Sequence, residues 1–72
     1  VNRGDLCELR AEKSWAHVYD EDGFVMKPVI KEGHKLIFVE PENFGSILMG
    51  KFLVLPLCLV GYIKMEDIRE TW

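Results

Sequence analysis

The 72 residues carry nine Lys and Arg against twelve Asp and Glu, a net charge of −3, with 49% hydrophobic and 29% charged residues. A chain this short is expected to form one domain over residues 1–72 around a thin core, with little room for an enzyme pocket of roughly 300 Å³ and its supporting shell. The acidic balance argues against gripping nucleic-acid phosphates, which calls for a basic stripe.

Most of the chain alternates apolar and polar residues with period two, which predicts strands rather than helices. "DLCELR" (5–10) predicts a short first strand. "SWAHVYD" (14–20) and "FVMKPVI" (24–30) flank "EDG", where Gly23 can take the positive φ of a hairpin loop. "KEGHKLIFVE" (31–40) predicts a turn at Gly33 and then a strand, and "PENFGS" (41–46) has the composition of a loop. "KMEDI" (64–68) predicts one helical turn, and "RETW" a last short strand or tail. Five to six short antiparallel strands with one short 3-10 turn near the C-terminus give an all-β fold. Closure into a small barrel would remove the sheet edges.

Between these elements lies "KFLVLPLCLVGYI" (51–63), in which ten of thirteen residues are Phe, Leu, Val, Ile, Cys or Tyr. A spanning helix needs about 20 apolar residues, and Pro56 would break a helix here, so no membrane span is expected. The segment 47–63 must supply two strands. It reverses either at Gly50-Lys51, where Gly50 is the better turn residue, or near Pro56-Leu57. If 52–60 is extended, Leu53, Leu55, Leu57 and Leu59 share one face, and Phe52, Val54, Pro56, Cys58 and Val60 share the other. A barrel of this size can bury only one set fully, which leaves a surplus apolar face as the first functional clue.

No metal site, cofactor site or catalytic group is expected. Cys7, His17, His34 and Cys58 lack the close ligand pairs of zinc sites, and no orienting third group or oxyanion loop accompanies a Cys–His pair. "DEDG" (20–23) lacks the spaced acids of a calcium loop and is expected to be a solvated hairpin tip. "RGD" (3–5) matches the integrin tripeptide in spelling only, with Gly4 serving a turn. Two cysteines among apolar neighbours predict buried, reduced thiols in a cytoplasmic protein, with a Cys7–Cys58 bridge the alternative for a secreted one. Trp15, His17 and Tyr19 fall on one face of the second strand, with Phe24 across the hairpin. They either cap the barrel or offer an aromatic contact surface.

The order of parts resembles the SH3 domain and the wider SH3-like barrels, over roughly residues 5–70. The acidic-tipped hairpin stands where the RT loop does, "KEGHKLIFVE" matches the "ϕxxGDxLxVϕE" segment, and "GYIKMEDI" matches "GϕϕPxxYV" before the last strand. SH3 domains bind Pro-rich peptides on an aromatic groove. That groove uses paired tyrosines of the first strand, a Trp after the n-Src loop, and the Pro and Tyr of the last motif. Here those places hold "LCELR", Ile47-Leu48, and Lys64, Met65 and Ile68. The resemblance therefore implies the fold without the Pro-rich ligand.

These features predict a non-enzymatic protein-binding module, an adaptor or inhibitor that docks on a larger protein or on a second copy of itself. Its contact residues are expected to be Trp15, Tyr19, Asp20, Glu21, Asp22, Phe52, Val54 and Leu55. The clusters Asp20-Glu21-Asp22, Glu40 with Glu42, and Glu66-Asp67 with Glu70 favour a basic partner. That partner could be a nucleic-acid-binding protein, as for a phage-type inhibitor of a host enzyme that offers acids in place of phosphates. The alternative is a nucleic-acid-binding SH3-like barrel, which a basic stripe of Lys27, Lys31, Lys35 and Lys51 would favour.

Overall fold

A computed structural model describes residues 1–27 and 29–71; the expectations for Trp72 lie outside them. The chain is all-β, with β1 (Leu6–Leu9), β2 (Trp15–Ala16), β3 (Ile30–Lys31), β4 (Lys35–Phe44), β5 (Ile47–Leu55), β6 (Leu59–Lys64) and β7 (Ile68–Glu70). A 3-10 turn, Met65–Asp67, joins β6 to β7 where one helical turn was expected. Five strands form an antiparallel sheet in the order β6-β5-β4-β1-β7, and β2 and β3 form a separate pair. The seven strands include β7, where a last short strand or tail was expected, and the two hairpin strands are cut to two residues each. Among the described residues no helix is long and apolar enough to cross a membrane.

The expected loop at 41–46 is strand as far as Phe44. β4 continues past a register shift between Phe38 and Glu40 and reverses in two residues, Gly45-Ser46, with Gly45 at φ 64°. Gly at the first central position with positive φ suits a tight hairpin turn. Pro41 is tolerated because β1 reaches only the first part of β4. Its pairing runs through Leu6↔Ile37 and the Gly4 N–H donating to the Phe38 carbonyl at 2.8 Å, so the rest of β4 is an open edge.

The reversal in 47–63 comes at Pro56-Leu57-Cys58, with Cys58 at φ 54°. Gly50 stands inside β5 opposite Pro41 and Ile63. It is glycine for close packing: a Cβ there would lie 2.6 Å from Met65 Sδ and 2.8 Å from Phe52 Cε2.

β5 lies between β4 and β6, so both of its edges are paired, and the apolar run supplies one face buried in the core and one half-buried face. Phe52 and Val54 point into the core, while Leu53 and Leu55 are half-buried on the other face. The alternation expected over 52–60 breaks at the turn. β6 turns its odd positions inward, so Gly61 and Ile63 are buried and Val60 and Cys58 are exposed.

The core joins Cys7, Leu9, Ala16, Val18, Ile30, Leu36, Phe38, Phe52, Val54, Ile63 and Ile68, drawn from every strand. Within it the Phe38 and Phe52 rings meet edge to face across β4 and β5, centroids 5.5 Å apart and planes at 69°.

Both cysteines are free, Cys7 buried as expected and Cys58 exposed. Burial pushes the Cys7 thiol from the ordinary 9.0 up to about 11, helped by the Glu70 and Asp5 carboxylates. Native protein at pH 8 is expected to release one equivalent of colour with a thiol reagent at once, from Cys58, and the second only on unfolding. Two fast equivalents would contradict this packing. From about pH 9 to about pH 11 the unfolded thiol loses a proton that the folded one keeps, so folding stability falls as pH rises through that window. Cys7→Ala should flatten that part of the profile.

Candidate docking surface

The hairpin between β2 and β3 is regular only at its base, where Trp15 pairs with Lys31 and Ala16 with Ile30. It resumes at a Tyr19↔Val25 bridge next to its tip. The tip is built by its own sequence. The Asp20 carboxylate accepts the Asp22 and Phe24 amides at 2.9 Å each, the Asp20 N–H donates to the Phe24 carbonyl at 2.8 Å, and Gly23 takes φ 86°. Asp20 is thereby spent on the turn, while Glu21 and Asp22 stand exposed.

Tyr19 also ties the hairpin to the edge of the main sheet, its N–H and carbonyl exchanging two 2.8 Å hydrogen bonds with Tyr62 of β6. This crossing needs Gly61. A Cβ there would collide with Val18 Cγ1, so only glycine lets the hairpin lie this close.

The crossing leaves a groove between the hairpin tip and the β4–β5 turn. It encloses about 410 Å³, with Tyr19, Phe44 and Ile47 in its apolar lining and Glu21, Asp22 and Lys64 as its charged residues. The Phe44 ring leans on Tyr62 at 5.3 Å, and Met49 is buried beneath. A second, more polar groove of about 350 Å³ adjoins it at Tyr19 and Lys64 and runs along the ladder of Trp15, His17 and Tyr19. Trp15 and His17 meet edge to face at 4.8 Å, and His17 and Tyr19 at 6.1 Å, the shared face that the two-residue period predicts. Asp67 closes this groove, nearly buried and ion-paired with Lys13 Nζ at 3.1 Å; the hydrogen bond and charge of its carboxylate raise the Lys13 pKa.

The expected contact residues thus divide. Trp15, Tyr19, Glu21 and Asp22 line one connected surface, with Trp15 50% exposed. Phe52 and Val54 are core residues with no accessible surface, so the expectation that they meet a partner is overturned: the interior claimed that face of β5. Leu55 is half-buried at the far end of β5, opposite Lys35 and away from the grooves. Phe44, Ile47 and Lys64 complete the surface and were absent from the expected set. Phe44 lay in an apparent loop, and the position of Ile47 just after the n-Src-like turn was the one signal that could have found it.

Two of the four lysines named for a basic stripe, Lys35 and Lys51, stand beside acids. Lys35 lies 3.7 Å from Glu8, and Lys51 pairs across strands with Glu40 and shares a shallow depression with Asp20 and Glu21. Among the described residues no group of three or more His, Cys, Asp or Glu is arranged for a metal ion. Set against known protein families, curated proteins and solved structures, the chain matches none of them.

Proposed function

We propose that this chain is an SH3-like barrel acting as a non-enzymatic protein-binding module, an adaptor or inhibitor that docks a basic segment of a larger protein. The order β6-β5-β4-β1-β7, the long acid-tipped hairpin and the 3-10 turn before the last strand support the SH3-like assignment. One observation carries the function: the groove of Tyr19, Phe44 and Ile47 has an apolar lining beneath the carboxylates of Glu21 and Asp22. An apolar anchor would gain from burial, and the acids would steer and orient a cationic partner. Neither carboxylate has an ion-pair partner among the described residues, so both are available to one. The acids beside Lys35 and Lys51 weigh against phosphate binding by a stripe of Lys27, Lys31, Lys35 and Lys51.

The test is a pull-down from lysate on immobilised protein, with and without nuclease, beside a variant carrying Glu21→Lys and Asp22→Lys. A stoichiometric protein that survives nuclease and binds the variant about tenfold more weakly supports the reading. Capture that vanishes with nuclease would move the assignment to nucleic acid. Equal capture by the variant would overturn this groove as the contact.

A further inference from the structure

The chain carries a third groove, next to the β4–β5 turn, that the proposed function does not use. It encloses about 570 Å³ and is lined by Ile47, Leu48 and Met65 together with Arg10 and Lys64. Leu48 is 60% exposed, a large apolar side chain facing water. Arg10 and Lys64, like Lys27, Lys31 and Lys51, form no ion pair among the described residues. Glu66 is the groove's one acid, so two cations face a single carboxylate in a protein of net charge −3.

The complement of this groove lies on the same molecule. The hairpin tip presents the unpaired acids Glu21 and Asp22, followed by Phe24, 70% exposed, and Val25, also exposed. The groove offers exposed aliphatic surface beside cations, and the tip offers exposed apolar surface beside acids. The two are neighbours without touching each other's charges: Ile47 and Lys64 line both this groove and the one under the tip. Adjacent complementary patches are what a two-fold axis uses, since each copy then gives its tip to the other's groove in one closed contact.

We infer that this face is a self-association surface, on which the Glu21-Asp22-Gly23-Phe24 tip of one copy docks against the Ile47, Leu48 and Met65 groove of a second copy, its acids against Arg10 and Lys64. The reading stands apart from docking on a foreign protein, although the tip serves both and the two complexes would exclude each other. A contact built on a hairpin tip and a shallow groove falls below the roughly 1,200 Å² of a standard interface, so the dimer is a weak one.

Sedimentation of the purified protein up to about 1 mM is the test, a range suited to weak association. The expected result is a reversible monomer–dimer equilibrium. Leu48→Asp and Phe24→Asp should each raise the dissociation constant about tenfold or more. A tip variant (Glu21→Lys with Asp22→Lys) and a groove variant (Arg10→Glu with Lys64→Glu) should each lose the dimer alone and regain it when mixed, because one contact is then complementary with signs exchanged and the other joins the unchanged tip to the unchanged groove. All of these positions lie outside the core, and circular dichroism confirms that each variant is folded. A protein that stays monomeric throughout the range overturns the inference, as does an equilibrium indifferent to these substitutions or a mixture that fails to pair. Leu48→Asp separates this inference from docking on a foreign protein, because Leu48 lines only this groove: it should weaken the dimer without lowering capture from lysate.

Discussion

Phe52→Ala is expected to leave the chain mostly unfolded at 25 °C. Phe52 has no accessible surface, sits on the strand between β4 and β6, and meets Phe38 edge to face. Truncating a buried Phe costs about 3–5 kcal/mol through lost burial and the cavity left behind. A domain of this length rarely holds more than about 3–5 kcal/mol in total, so a single cavity at its centre consumes the margin. Little can move to fill it, because Gly50 is flanked by Phe38, Phe52 and Met65 with no side chain of its own. Urea titration followed by circular dichroism reads the effect. The native baseline should vanish for Phe52→Ala, while Phe24→Ala, at an exposed tip, should stay within about 0.5 kcal/mol of the parent. A Phe52→Ala protein with a midpoint near the parent's would show that the core is not organised around this ring.

Gly61→Ala is expected to cost about 1–3 kcal/mol, the usual penalty for forcing atoms into a packed interior. It should also act locally. The added Cβ collides with Val18 Cγ1, approaches the Tyr19 carbonyl to 3.4 Å, and comes within 3.5 Å of Met26 Sδ. Val18 is fully buried and β-branched, so it has no free rotamer to retreat into, and the hairpin must lift from β6. The paired hydrogen bonds between Tyr19 and Tyr62 would weaken, and the groove they hold in place would open. Amide exchange distinguishes this from general loss of stability. Protection of the Tyr19 and Tyr62 amides should fall together, while that of the β4–β5 ladder falls only by the global amount. Uniform loss across the sheet would contradict a local lever at Gly61.

These two positions show where the sequence is informative. Phe52 is apolar in an apolar run, and the period of two put it on a common face with Val54, which holds in the structure. Alternation did not say whether that face looked inward, because Leu53 and Leu55 opposite are equally apolar. Gly50 and Gly61 carry no periodic signal. Glycine marks a turn and a close approach by the same absence of a side chain, which is why Gly50 suggested a reversal and turned out to be a packing site. The loop composition of "PENFGS" concealed strand for a related reason: Pro41 is compatible with a strand wherever the neighbouring edge is empty, and that depends on how far β1 extends.

The surface was legible in part. Trp15, Tyr19, Glu21 and Asp22 could be placed together because the aromatic ladder and the acidic tip are local patterns on one hairpin. Phe44, Ile47 and Lys64 come from β4, β5 and β6, and no local pattern links them to that hairpin.

By itself, then, the sequence determined what depends on neighbours along the chain: all-β character, the turn at Asp20–Gly23, the single helical turn before the last strand, and the net negative charge. The tertiary structure alone decided what depends on distant segments meeting. It chose Phe52 and Val54 for the interior, buried Cys7 while leaving Cys58 in a turn, and brought the hairpin tip over Phe44 and Ile47. Period and turn chemistry are set within a few residues by backbone sterics and local hydrogen bonds. Which apolar face is buried is a competition across the whole chain for a core too small to hold both.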